Sequence, residues 1–134
     1  MKITLKAVLI LLVALALAVL GGWIWGATGQ SRAEEALAKA GAGLHLASAR
    51  GNMLAARVSL FEVNFGDASR SLEDAKADLL TAAEAFDRMR LTAEAAAARD
   101  VAARVDDAKQ LAGRLDQSAN TRIAEALRLL PKMP

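Results

Sequence analysis

The sequence predicts an all-α protein: an N-terminal transmembrane helix followed by a helical hairpin and a third helix in an extramembrane domain. Three observations carry this. Residues 7–26 (AVLILLVALALAVLGGWIWG) hold no charged side chain. The tract after residue 30 is rich in alanine and mixed charge. Apolar positions recur through it at alternating three- and four-residue spacing, which lines one stripe of a helix.

The first element is the apolar run. About 20 apolar residues in a helix span the roughly 30 Å hydrocarbon core of a bilayer. Lys2 and Lys6 stand before it, and Trp23 and Trp25 near its end suit an interfacial aromatic belt. A secretory signal is the competing reading, with Leu5–Leu20 as its core and Ala27-Thr28-Gly29 as a small-residue cleavage site. The length and the tryptophans favour an uncleaved anchor. Positive charge is retained in the cytoplasm, which puts the N-terminus inside. In a bacterium residues 30–134 are then periplasmic, and the chain is a single-pass inner-membrane protein. Residues 1–29 form the anchor and 30–134 the alanine-rich domain. Ala14, Ala18, Gly22 and Gly26 recur every four residues, a ridge that lets a second membrane helix pack closely.

Ser31-Arg32-Ala33-Glu34 reads as a capping box opening the next helix. That helix is expected to run toward Asn64, weakened by Gly41, Gly43 and Gly51. Its heptad stripe combines Leu37, Leu44, Gly51, Val58, Phe65, Leu72, Leu79 and Phe86 with Ala40, Ala47, Leu54, Phe61, Ala68, Ala75, Ala82 and Met89. The helix seam is accordingly assigned to Leu54, Val58, Phe61, Phe65, Leu72, Leu79 and Phe86. Asn64, Gly66 and Asp67 supply turn chemistry: Gly66 for a left-handed residue and Asp67 as N-cap of a helix over 68–90. This favours a hairpin, although the unbroken phase also permits one rod. Thr92 is placed as the cap of a third helix over 93–117. A short amphipathic segment follows from Thr121 to Leu130, and Pro131 ends it.

Composition narrows the function. Lys2 and Lys6 account for the whole net charge of +2, because residues 31–134 hold 15 basic and 15 acidic residues. A nucleic-acid binder needs a basic face, so no nucleic-acid partner is expected. The chain has no cysteine and one histidine, His45, too few ligands for a zinc site. No G-x-S-x-G, H-E-x-x-H or P-loop pattern occurs, and no catalytic residue, cofactor or metal is assigned. The expected partners are the membrane, other membrane or periplasmic proteins, and a further copy of the chain. The expected function is a membrane-anchored accessory or scaffolding subunit that binds other proteins. The alternatives are a self-associating coiled coil that bridges the periplasm, as a spanin does, and a ligand-sensing helical bundle.

Overall fold

The computed structural model describes the backbone of residues 5–132, with side chains for Leu15 and from Ala33 onward. All regular structure among these residues is helical: α1 (Leu5–Phe61), α2 (Phe65–Arg88), α3 (Thr92–Gly113) and α4 (Ala119–Arg128). The chain divides into two compact units, Met1–Ala36 and Leu37–Pro134. Among the described residues no helix is long and apolar enough to cross a membrane. Apart from Leu15, the run 7–26 lies outside the described side chains, as does its ridge of Ala14, Ala18, Gly22 and Gly26.

Some helix boundaries differ from the sequence expectation. The backbone is already helical at Ser31, so the capping box opens no helix there. Thr92 is the first residue of α3 rather than its cap, and the N-cap position belongs to Leu91. The last helix starts at Ala119; Asp116 provides the entry, its carboxylate accepting the Ser118 amide at 2.8 Å.

The second unit is an up-and-down arrangement of helices. The three-residue connection between Phe61 and Phe65 makes α1 and α2 antiparallel, and His45 and Asn52 on α1 both reach Asp78 on α2. Lys76 on α2 reaches Asp106 on α3, while Arg57 on α1 reaches Asn120 at the start of α4. The shared core consists of Ala42, Leu46, Ala49, Met53, Ala56 and Leu60 of α1, Ala68, Leu72, Ala75, Leu79, Ala82 and Phe86 of α2, and matching rows on α3 and α4. Among the described residues alanine supplies 15 of the 24 buried apolar side chains. On α1 and α2 alanine alternates with a large side chain at heptad spacing. Small residues facing large ones let helices interdigitate without voids. They also remove little apolar surface each, so the few large residues carry most of the burial energy.

The reversals share one device. Asn64 N–H donates to Ser59 C=O at 2.7 Å and Val63 N–H to Leu60 C=O at 3.1 Å. These six-to-one and five-to-two bonds make a Schellman motif with its left-handed residue at Val63, φ 60°. Arg90 and Leu115 take the same place after α2 and α3, at φ 60° and 59°. Gly66 does not fill the left-handed position: it lies in the first turn of α2. Asp67 is likewise inside α2, and the N-cap is Asn64, whose side chain accepts the Asp67 amide at 3.2 Å. The motif needs its positive φ immediately after the last helical turn, and Gly66 comes three residues too late.

Candidate interaction surface

Helix α1 carries two apolar stripes two residues out of phase, and at about 100° per residue they lie on nearly opposite faces. The stripe of Ala42, Leu46, Ala49, Met53, Ala56 and Leu60 faces the core. The other contains Leu37, Leu44, Leu54, Val58 and Phe61, which stay 74, 72, 44, 55 and 69 % exposed. The seam expected from the sequence is therefore split. Leu72, Leu79 and Phe86 are buried as assigned, and Phe65 packs against the core from its edge. Leu54, Val58 and Phe61 face outward instead. Continuing one heptad phase past Glu62 selects the wrong face of α1: the Glu62 amide still donates to the Val58 carbonyl one turn back at 3.0 Å, but the left-handed Val63 leaves helical geometry and does not carry the phase across.

Polar side chains flank the outer stripe and hold α1 in place. On one flank His45 Nδ1 lies 2.9 Å from Asp78 Oδ1, and Asn52 donates to Asp78 Oδ2 at 3.2 Å. On the other, Arg57 Nε donates to Asn120 Oδ1 at 2.7 Å. Near it, Gln117 donates to the Leu60 carbonyl at 3.4 Å. These contacts tie α1 to α2 and α4 on either side and fix which of its faces turns outward.

A ladder of ion pairs joins α2 to α3. Lys76 Nζ donates to Asp106 Oδ1 at 2.6 Å. Lys109 pairs with Glu73, and Arg99 with Asp87. The Lys109 hydrogen bond holds the Glu73 carboxyl below the usual carboxylate range. Lys76 does the same for Asp106, and its own pKa is raised in return. Asp116 is also lowered, by the Ser118 amide. Spacing along the sequence offers the local i, i+4 pairs Glu35–Lys39, Glu84–Arg88 and Asp100–Arg104, and the last of these lies 2.9 Å apart in the structure. The cross-helix pairs become legible only once the register of α2 against α3 is known.

None of these polar groups encloses a reactive pocket. The cavity beside Asp107, Gln110, Leu111, Arg114 and Arg122 measures about 210 Å³ and is open. Among the described residues no three acidic or histidine side chains gather as a metal site would require. Comparison with known protein families, with curated proteins and with solved structures finds no match to this chain.

Proposed function

We propose that the chain is a membrane-anchored helical interaction subunit whose docking surface is the outer face of α1. The observation that carries this reading is the exposed stripe of large apolar residues at heptad spacing over residues 37–61. Single exposed apolar residues are ordinary on a soluble surface, but a contiguous row of them marks an interaction site. Amphipathic helices dock through such rows at i, i+3, i+4 and i+7. The uncharged run 7–26 behind Lys2 and Lys6 supports an anchor that leaves the helical domain in the periplasm. The small-residue ridge in that run supports a partner within the membrane as well.

Purification of the full chain in mild detergent, with and without Leu44→Glu plus Val58→Glu, tests the reading. Wild type retains its assembly and the double variant loses it, while both keep the same helical circular dichroism. Equal assembly in the two samples would overturn the docking role of this face.

A further inference from the structure

We infer that the outer face of α1 receives a second copy of the same helix, aligned in parallel, so that the protein acts as a twofold pair. The inference rests on the docking role proposed for that face. The stripe sets Leu37, Leu44, Gly51 and Val58 at one core position of a heptad, and Ala40, Ala47, Leu54 and Phe61 at the other. Two-stranded coiled coils bury such a seam, and the charges beside it choose partner and orientation.

Here the flanking positions discriminate. In a parallel pair Arg57 stands opposite Glu62 of the second copy, and the twofold axis makes that attraction twice. Arg50 meets Ala55, which is neutral. In an antiparallel pair of full overlap, Leu44 faces Leu54 and Arg50 faces Arg50 of the other copy, a like-charge contact. Arg57 spends its Nε on Asn120, a bond that uses neither terminal nitrogen and holds the side chain on this flank. Two chains anchored by the same N-terminal run in one membrane also enter the domain in the same direction. The second copy thus satisfies the apolar stripe, the flanking charges and the anchor together.

The chain contains no cysteine, so single-cysteine variants report pairing directly. Leu44→Cys, Leu54→Cys and Val58→Cys are introduced separately into the full chain and oxidised in native membranes. Each is expected to form a disulfide-linked species of twice the 14.1 kDa chain mass. Ala103→Cys, exposed on α3, is expected to stay monomeric. Adding Glu62→Lys to Val58→Cys should lower the linked yield several-fold by placing a cation opposite Arg57. Linking only between mixed Leu44→Cys and Leu54→Cys chains would overturn the parallel register. A benzophenone attached at Val58→Cys that captures a different chain would overturn the second copy and leave the docking role standing. Absence of any capture would overturn both.

Discussion

At the scale of single residues, the few large side chains do work that the alanines cannot. Among the described residues Phe86 is the only aromatic one buried in the core, and Phe61 is mostly exposed. Phe86→Ala is expected to destabilise the domain by about 3–5 kcal/mol through lost burial and a residual cavity. Phe61→Ala should stay within about 0.5 kcal/mol for the isolated chain, as surface substitutions do. Paired thermal melts of dilute protein check this, and an equal loss for the two would place both rings in the core. The sequence expectation assigned them the same burial. Composition and spacing were sufficient to find the apolar positions of α2, where a polar face opposes a single apolar one. On α1 they were not, because two apolar faces share the helix and only the packed partner distinguishes them.

At the scale of elements, the turns and the ladder set how the helices meet. A non-glycine residue in the left-handed region is strained by about 1–2 kcal/mol, and a β-branched one is a conspicuous outlier. Val63 is 65 % exposed, so its side chain has little packing to lose. Val63→Gly is expected to raise stability by up to about 1 kcal/mol, after the greater freedom of glycine in the unfolded chain is set against the relieved strain. A lower melting temperature for that variant would contradict the turn geometry. The turn itself was half legible. Asn64 was identified as a turn residue, but the left-handed position was sought at a glycine and fell on a valine.

The α2–α3 ladder gives the domain a pH signature. Glu73 and Asp106 are depressed in the folded state. Their contribution is therefore present above the unfolded carboxylate range of about 4 and lost as pH falls through the folded values. Lys76 is raised, so its contribution is present below the unfolded lysine value of about 10.4 and lost as pH rises past the folded one. Between those limits the ladder adds no slope. Stability should hold near neutrality and fall below about pH 4. Asp106→Asn should flatten part of that acid limb in melts recorded across the range. Because these pairs are exposed or half-buried at the surface, added salt should weaken them.

At the scale of the whole molecule, the chain turns back after Phe61 rather than continuing as a rod. Residues 32–90 as one helix would reach nearly 90 Å at about 1.5 Å per residue. The reversal at Glu62–Asn64 removes that reach from residues 32–90. It also leaves the stretch of α1 from Leu37 with an inner face that closes the domain and an exposed apolar outer face, for which we propose assembly. That division is the central claim. It is tested by thiol labelling of Met53→Cys and Val58→Cys in the full chain, each measured in native membranes and again after dilution in detergent. Met53→Cys should label only on unfolding in both settings. Val58→Cys should be protected in membranes and label at the rate of a free thiol once diluted. Protection of Val58→Cys as strong as that of Met53→Cys at every dilution would place the outer stripe in the core of the fold and contradict the account.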